Sequence, residues 1–458
     1  MQDAIILGGG ISGLTAGYLL QKQGLDLSVL EKNSEPGGPI STARQEGYLV
    51  ERGPNSLLLP DPWVERWLAE LALSDQIQES PASASKRFIV KNGRPVAVPA
   101  SPLQALTTPL FSFRGKLGVL LEPFRKRISE EQGDVETVAS FVRRRLGPDF
   151  LDYAIDPMVS GVYAGDPQQL ILEYAFPLMR GFERDGGSII RGALRYKKRR
   201  KRDGTAYKKR SISFRDGLGI LPQTLSRKLG NRLWLDSNVT KVDRVDRGWQ
   251  VTWERAGETF QGVANNLIVC LPAYAIKQIV WADAVAEQLQ DTPDLKYPAV
   301  HSLALGFRRE QIEHPLDGFG MLVPSKEPHN ILGALFSSSL SPGRAPNGHC
   351  LLTVMIGGIR RPELANASED ELIALAMPDL ERLIGANGSP CFSLLHSWPR
   401  AIPQYTSEFG PWRDTLRGLE KEFPGLYFGG NSIDGIAMGA SILSGKRLAE
   451  RIRLLNQS

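Results

Sequence analysis

Three glycines near the start of the chain have the spacing with which a backbone turn binds a phosphate. In the segment GGGISG, Gly8, Gly10 and Gly13 form a G-x-G-x-x-G pattern between an apolar strand and a helix. The first glycine permits the tight turn, the second lets the backbone approach a pyrophosphate, and the third lets the helix pack on the strand. A helix start offers free N–H groups and a positive dipole end to that anion. We therefore predict that these glycines, with Ile11 and Ser12, bind a dinucleotide.

A carboxylate follows where the ribose of such a dinucleotide would lie. Residues 25–31 have the pattern of a second strand, and Glu31 ends it. A carboxylate there accepts hydrogen bonds from ribose hydroxyls and would repel a 2′-phosphate, so NADP is disfavoured. We predict that Glu31 and Lys32 bind the adenosine half.

The order strand, turn, helix, strand predicts a βαβ unit with a right-handed crossover. Helical periodicity dominates residues 101–180, whereas residues 233–270 and 297–360 contain short β-rich runs separated by polar, glycine or proline turns. The stretch from residue 425 onward returns to a strand, a glycine-rich turn and a helix that is predicted to begin near Ile436. The sequence therefore predicts an α/β protein with α+β elements.

The composition, 42% hydrophobic and 23% charged over 458 residues, is that of a folded globular chain. The cysteines, Cys270, Cys350 and Cys391, are odd in number and far apart, which argues against a disulfide framework and favours a reducing compartment. The five histidines show no metal-binding spacing, so we predict no metal. With neither a signal peptide nor a long apolar span in view, we expect a cytoplasmic protein.

Residues 195–210 carry ten Lys or Arg and one acid, Asp203. We interpret this run as a solvated loop, and attraction to anionic lipid or to an acidic ligand is the alternative. Nucleic-acid binding is disfavoured because no aromatic stacking platform or helix-turn-helix pattern accompanies the charges. Residues 109–127 join apolar residues to a basic end, as a membrane-surface segment would, and burial within the chain is the alternative there.

Both ends of the chain favour FAD over NAD. The doublet Gly37 and Gly38 resembles that of the FAD-dependent amine oxidase superfamily, although Pro39 stands where the superfamily usually has Arg. The glycine-rich turn near the other end could direct N–H groups at the pyrimidine edge of the flavin, where negative charge develops during reduction. The residues predicted to do so are Gly430, Asn431, Ile436, Ala437 and Met438.

Six further segments narrow the resemblance from the superfamily to one family within it. Together, and in this order, they resemble the oxygen-dependent protoporphyrinogen oxidases, especially the plastid and cyanobacterial type. The segments are ERGPNS (51–56), ASFVRRRLG (139–147), DPMVSGVYAGDP (156–167), GGSIIRGALR (186–195), ALFSSSLSPGRAP (334–346) and SWPRAIPQY (397–405).

This resemblance implies oxidation of protoporphyrinogen IX to protoporphyrin IX in heme or chlorophyll biosynthesis, with FAD taking the electrons, O2 reoxidising the flavin and H2O2 as product. The rival activities are coproporphyrinogen III oxidation, carotenoid desaturation, amine oxidation and a catalytically silent role as a flavoprotein partner. A homodimer, a ferrochelatase-type partner and a peripheral position on an inner or thylakoid membrane are further expectations.

The resemblance also assigns site residues. Phe336 and Leu322 match positions that sandwich a pyrrole ring, with ordinary strand core as the alternative. Trp398 matches a position beside the flavin, with core packing as the alternative. A propionate-binding Arg of some members is replaced by Ser74, which leaves Arg44, Arg52 and the basic run as unranked substitutes. The remaining predicted residues are Gly161, Gly165 and Arg52 for substrate, and Gly53, Pro54, Asn55 and Val239 for FAD.

The implied architecture is like that of p-hydroxybenzoate hydroxylase. We predict a Rossmann-like FAD domain from residues 1–65, 205–272 and 395–458. A mixed-sheet substrate domain would comprise residues 66–100 and 273–394, and residues 101–204 would form an outer, membrane-associated helical region.

Overall fold

A computed structural model of the chain describes residues 1–125, 135–205 and 207–455. The strands are β1 (Gln2–Leu7), β2 (Leu27–Leu30), β3 (Thr42–Gln45), β4 (Tyr48–Glu51), β5 (Leu57–Leu58), β6 (Ile77–Glu79), β7 (Lys86–Lys91), β8 (Arg94–Ala97), β9 (Ser211–Phe214), β10 (Leu233–Trp234), β11 (Asn238–Val245), β12 (Gly248–Arg255), β13 (Glu258–Val269), β14 (Val280–Trp281), β15 (Val300–Arg308), β16 (Gly318–Leu322), β17 (Ile331–Leu335), β18 (His349–Gly357), β19 (Phe392–Trp398) and β20 (Leu426–Phe428).

The helices follow the same order. They are α1 (Ile11–Lys22), α2 (Pro62–Glu70), α3 (Pro102–Thr107), α4 (Phe113–Leu120), α5 (Val138–Arg145), α6 (Pro148–Phe150), α7 (Asp156–Tyr163), α8 (Leu172–Ala175), α9 (Pro177–Gly186), α10 (Ile189–Arg202), α11 (Ile220–Leu229), α12 (Ala273–Ile276), α13 (Asp283–Gln290), α14 (Ser337–Leu340), α15 (Glu369–Ile384), α16 (Phe409–Glu422) and α17 (Met438–Leu455).

The first sheet carries the predicted dinucleotide turn. Its strand order is β10-β2-β1-β13-β12-β11-β14, and β20 also pairs with β13. Strands β10, β2, β1, β13 and β20 run parallel, whereas β11, β12 and the first half of β13 form an antiparallel meander. Strand β2 is buried along its whole length, as expected for a parallel strand covered on both faces.

Helix α17, near the end of the chain, packs on helix α1 at the start. The Ser12 hydroxyl donates a hydrogen bond to the Ser441 carbonyl at 2.9 Å. Glycine at 445 permits this approach, because a Cβ there would lie 2.3 Å from the Ser12 carbonyl oxygen. Distant segments of the sequence therefore build one end of the first sheet.

The second sheet has the order β19-β15-β18-β17-β16-β7-β8. One face packs against α15, through side chains such as Leu372 and Leu380 of the helix and Leu303 of β15. On the opposite face, Ala304 packs with Tyr48 of β4. The mixed sheet therefore lies between its own covering helix and the segment that follows the glycine doublet.

The helical region is organised around buried charges. Arg145 and Glu122 form an ion pair with both side chains fully buried. The Glu122 carboxylate also accepts hydrogen bonds from the Ile189 and Ile190 N–H groups, at 2.9 and 3.2 Å, and so fixes the start of α10. Large apolar side chains nevertheless remain exposed here, among them Phe113, at 81%, and Phe124, at 77%.

The predicted fold class, an α/β protein with a Rossmann-like unit and a mixed sheet, is confirmed. The prediction of a loop over residues 195–210 is wrong for residues 195–202, which continue α10 to Arg202. Lys and Arg are good helix formers, and their charges are favourable near the negative C-terminal end of a helix. Residues 203–205 and 207–210 lie outside helices and strands, whereas Ala206 and the end of the 109–127 segment, Lys126 and Arg127, lie outside the described residues.

The sheets also depart from the predicted domain boundaries, which otherwise stay a prediction. Strand β14, in a segment assigned to the substrate domain, pairs with β11 of the first sheet. Strand β19 belongs to the second sheet through Trp398, although the last FAD segment was predicted to begin at residue 395. Helix α17 begins at Met438, two residues after Ile436. No helix within residues 1–125, 135–205 and 207–455 is both long and apolar enough to cross a membrane.

Candidate active site

The first glycine turn has the geometry of an anion site. Gly8 adopts a φ of +102°, a conformation that other residues rarely adopt. A Cβ at Gly13 would lie 2.0 Å from the Gly8 carbonyl oxygen, so the helix start and the turn are in backbone contact. At Gly10, which caps α1, a Cβ would meet no heavy atom within 4 Å. The space in front of the free N–H groups of Ile11 and Ser12 is therefore open to a phosphate.

Glu31 is held beside this turn by three hydrogen bonds. Its Oε2 accepts from the Gly9 N–H at 2.7 Å, and its Oε1 accepts from the Asn33 N–H and Nδ2 at 2.9 and 2.6 Å. A carboxylate has about four acceptor positions, so one remains for a ribose hydroxyl. We did not predict a role for Asn33 from the sequence. The only feature of the sequence that could have indicated one is its position two residues after Glu31. The neighbouring Lys32 is exposed.

The glycine doublet lies against the first turn. The Gly37 N–H donates to the Gly9 carbonyl at 2.8 Å, and Gly37 pairs with Gly10 as a backbone bridge. A Cβ at Gly38 would lie 3.8 Å from the Gly10 Cα. Two turns that are well separated in sequence thus form one backbone surface, as a dinucleotide that passes from one to the other requires.

The loop after β4 continues this surface toward the second sheet. A Cβ at Gly53 would lie 2.1 Å from the Pro39 carbonyl oxygen, so this loop rests on the doublet. The Trp398 Nε1 donates to the Arg52 carbonyl at 2.9 Å. Asn55 Nδ2 donates to the Gly53 carbonyl at 3.2 Å, and Pro54 between them is half-buried. Trp398, at the end of β19, is therefore in contact with the predicted flavin loop.

His396 belongs to this cluster but was not predicted. Its ring meets that of Trp398 edge-on, with 4.3 Å between centroids. Burial, together with the charge of Arg52, lowers the pKa of His396 below its ordinary 6.5. The imidazole is accordingly neutral at pH 7. Its only sequence signal is alternation along β19, which puts His396 and Trp398 on the same face.

The C-terminal turn closes the other side of the first sheet. The Gly430 N–H donates to the Ser444 hydroxyl at 2.9 Å, and the Asn431 carbonyl accepts from the Tyr405 hydroxyl at 2.8 Å. Ile436 and Ala437 lead directly into α17, which begins at Met438. Helix α17 thus places its N-terminal end beside the N-terminal end of α1, where both dipoles favour negative charge.

Of the remaining cofactor residues, Val239 is half-buried near the start of β11. Two residues before it, the Ser237 N–H donates to the Glu31 carbonyl at 2.8 Å. The structure therefore brings Val239 near the predicted adenosine side.

The predicted substrate residues separate into two groups. Gly161 in α7 touches Leu322, because a Cβ at Gly161 would lie 2.5 Å from the Leu322 Cδ2. Gly165 similarly lies against Gln404, whose Oε1 would be 2.3 Å from an added Cβ. Helix α7 is therefore adjacent to the end of β16, and the turn after α7 is adjacent to Gln404, as expected if they share a ligand.

Phe336 lies elsewhere. It is fully buried, with ring centroids 6.2 Å from Phe88 and 5.4 Å from His314, in the apolar cluster that faces α15. Met321, which neighbours Leu322 and so points to the opposite face of the strand, belongs to the same cluster. This placement matches the strand-core alternative, and contact between Phe336 and substrate stays a prediction.

The other predicted cations are placed differently from one another. Arg44 forms an exposed ion pair with Asp216 at 2.5 Å, whereas Arg52 is half-buried in the loop beneath Trp398. Within the described part of the chain no three His, Cys, Asp or Glu side chains are grouped so that they could hold a metal ion. The arrangement is thus a continuous backbone cradle with one aromatic and one imidazole side chain at its far end.

Comparison with known proteins supports this arrangement. Residues 11–453 match the family described as flavin containing amine oxidoreductase. Protoporphyrinogen oxidase 2, chloroplastic/mitochondrial, of Arabidopsis thaliana is 35% identical over 98% of this chain and 93% of its own length. Coproporphyrinogen III oxidase of Staphylococcus aureus is 24% identical over 98% and 99%.

A crystal structure from Exiguobacterium sp. 255-15 shares the fold, with a TM-score of 0.79 at 20% identity and 99% of both chains covered. The open cradle from Gly10 to Gly38 suits the flavin cofactor that the family match implies, because its backbone leaves room for a pyrophosphate between two glycine turns. The chain therefore belongs to the flavin-containing amine oxidoreductases, and it is an FAD-dependent oxidoreductase.

Proposed function

We propose that this enzyme oxidises protoporphyrinogen IX to protoporphyrin IX, with O2 as the final electron acceptor and H2O2 as product. The observation that carries the proposal is similarity to a protoporphyrinogen oxidase over 98% of the chain at 35% identity. Such coverage includes both sheets and the helical region, so it extends over every part of the molecule that could contact a substrate.

The residues of this chain would bind and orient the substrate. FAD supplies the hydride acceptor when bound, and aromatisation supplies the driving force. Gly161 and Leu322 would present an apolar surface to a flat macrocycle, and the hydrogen bond from Trp398 to the Arg52 carbonyl holds the indole against the predicted flavin loop. A reaction of this kind needs proximity and an oriented apolar site rather than a catalytic triad.

Coproporphyrinogen III is the second candidate substrate, favoured by the Staphylococcus aureus relative at 24% identity. The decisive measurement is steady-state turnover of both porphyrinogens by flavin-loaded enzyme. The products to be measured are H2O2 and the porphyrin, which is detected by its fluorescence. Faster oxidation of protoporphyrinogen supports the proposal, and faster oxidation of coproporphyrinogen overturns it. A flavin that neither substrate reduces under anaerobic conditions would point to the other oxidase classes or to a silent partner.

A peripheral membrane contact through the helical region is part of the proposal. Exposed apolar side chains in α3, α4 and the turn after α4 include Leu103, at 72%, Phe113 and Phe124. The Arg191 guanidinium of α10 lies 5.7 Å from the Phe124 ring centroid, so the basic helix adjoins these apolar side chains. Apolar side chains beside a basic helix are the features that bind an anionic lipid surface. A homodimer and a ferrochelatase-type partner remain predictions.

A further inference from the structure

A second cavity lies beside the C-terminal turn, outside the glycine cradle. Its volume is about 340 Å³, within the size range of small-ligand sites. Six of the residues that line it carry the argument: Tyr274, Lys277, Asp294, Tyr297, Arg400 and Trp412.

The cavity adjoins the predicted flavin site through shared backbone. Trp412 Nε1 donates to the Ser432 carbonyl at 3.1 Å, and the Ser432 hydroxyl donates to the Leu271 carbonyl at 3.1 Å. Ser432 follows Asn431 of the predicted flavin turn, and Arg400 follows Trp398 by two residues. One wall of the cavity is thus continuous with the cradle.

The charges around the cavity favour an anion. Lys277 is paired with the exposed Asp294 at 2.8 Å and donates to the Thr292 carbonyl at 2.6 Å. Arg400 instead rests on the Tyr274 ring, 4.6 Å from its centroid, and no carboxylate of the described residues lies within ion-pairing distance of it. Its planar guanidinium is therefore oriented but electrostatically unpaired, which suits a carboxylate ligand.

Two phenols add neutral donors. The Tyr297 hydroxyl accepts from the Ala273 N–H at 3.1 Å, which leaves its own hydrogen available to a ligand. Burial raises the pKa of Tyr297 and of Tyr274, so both remain protonated at neutral pH. An oriented guanidinium with nearby phenols is a chemical match for a carboxylate on an otherwise apolar molecule.

We propose that Arg400, seated on Tyr274 at this cavity, binds a propionate carboxylate of the porphyrinogen and so makes the enzyme selective for carboxylate-bearing substrates. This rests on the proposed function.

The test compares protoporphyrinogen IX with its dimethyl ester, which keeps the macrocycle and loses both carboxylates. Arg400→Gln should lower kcat/KM for the acid by about 3- to 10-fold, mostly through KM, because the guanidinium is exposed and its ion pair is screened. Turnover of the ester should stay within about 2-fold of the parent. Arg400→Lys should retain part of the preference for the acid, and added salt should reduce that preference in the parent more than in Arg400→Gln.

Arg244→Gln is the matched control, since Arg244 is also exposed and lies 5.0 Å from the Trp249 ring centroid on a distant strand. It should leave both substrates unaffected. Equal losses for acid and ester in Arg400→Gln, or no loss for either, would overturn the proposal. A flavin-loaded parent that oxidises neither form would instead overturn the proposed function itself.

Discussion

The glycine turns around α1 and the helical region both bury polar groups, but they satisfy them in different ways. In the turns, backbone meets backbone: Gly37 bonds to Gly9, and Gly13 touches Gly8. In the helical region, side-chain charges such as Glu122 and Arg145 occupy the interior. The first arrangement leaves no room for a side-chain atom at Gly13, whereas the second depends on the pairing of opposite charges.

The largest expected effect comes from adding a methyl group to the turn. Gly13→Ala would place a Cβ 2.0 Å from the Gly8 oxygen, and we expect a loss of about 3 kcal/mol or more in unfolding free energy together with loss of FAD. Gly10→Ala is the control, because its Cβ meets nothing within 4 Å and should impair only FAD binding. For both variants, thermal unfolding measures the stability and flavin stoichiometry measures FAD binding. A Gly13→Ala protein with parental flavin content would show that the turn accepts a side-chain atom.

Removing charge from the helical region should destabilise it without affecting flavin. Glu122→Gln removes the carboxylate that pairs with the buried guanidinium of Arg145, whereas the Glu183 carboxylate lies farther away, at 3.6 Å, and this loss should cost about 3 kcal/mol. Urea unfolding of the flavin-loaded protein measures this. If Glu122→Gln released FAD at low urea, the two regions would not be independent.

The same variant has a pH signature. Burial alone would raise the pKa of Glu122, but the Ser188 hydroxyl, the Ile189 N–H and Arg145 hold it below its ordinary 4.5. A lowered folded-state pKa gives stability that is present above about pH 4.5 and is lost as the pH falls through the folded value. The parent should therefore lose more stability on acidification than Glu122→Gln, and parallel curves would contradict this account.

Neutralising part of α10 tests its surface. Changing Lys197, Lys198, Arg199 and Arg200 to Gln should leave flavin content unchanged, since none of the predicted cofactor residues lies in α10. Partitioning onto anionic vesicles should weaken by about 1 kcal/mol per charge removed. Sedimentation with vesicles measures it, and uncharged vesicles are the control. If the variant and the parent bind anionic vesicles equally, the basic helix is simply exposed to solvent and does not contribute to lipid binding.

The smallest effect concerns His396 in the flavin half. Because burial and Arg52 lower its folded-state pKa below 6.5, its contribution to stability is present above about pH 6.5 and is lost as the pH falls below that value. The melting temperature of His396→Gln should therefore fall less than that of the parent between about pH 7.5 and 5. Identical profiles would mean that the imidazole is as free to protonate in the folded protein as in the unfolded chain.

The sequence predicts backbone features best. Glycine spacing predicts the turn at Gly8 to Gly13 because only glycine admits those contacts, and the structure places the doublet beside it. Side-chain partners that are distant in sequence are not predictable in this way. The bond from Trp398 to the Arg52 carbonyl spans 346 positions and depends on the docking of two sheets.

One wrong prediction has a simple cause. The basic run lacks an apolar period, so it reads as solvated loop, although its Lys and Arg residues favour a helix once Ser188 has capped its start. The substrate role of Phe336 stays a prediction that rests on a family motif, and a motif alone does not show that this side chain is buried in the cluster that faces α15.

The contact between α1 and α17 has a consequence for how the protein is made. The Ser12–Ser441 bond joins positions 429 residues apart. At synthesis rates of about 5–20 residues per second, the N-terminal glycine turn waits roughly 20–90 s on the ribosome before its partner helix is translated. For more than half of that interval β1 also lacks β13, so an apolar strand has one open edge. Nascent chains of this protein should thus depend on chaperones until the final helix emerges, and stable capture of FAD should be a late, post-translational event.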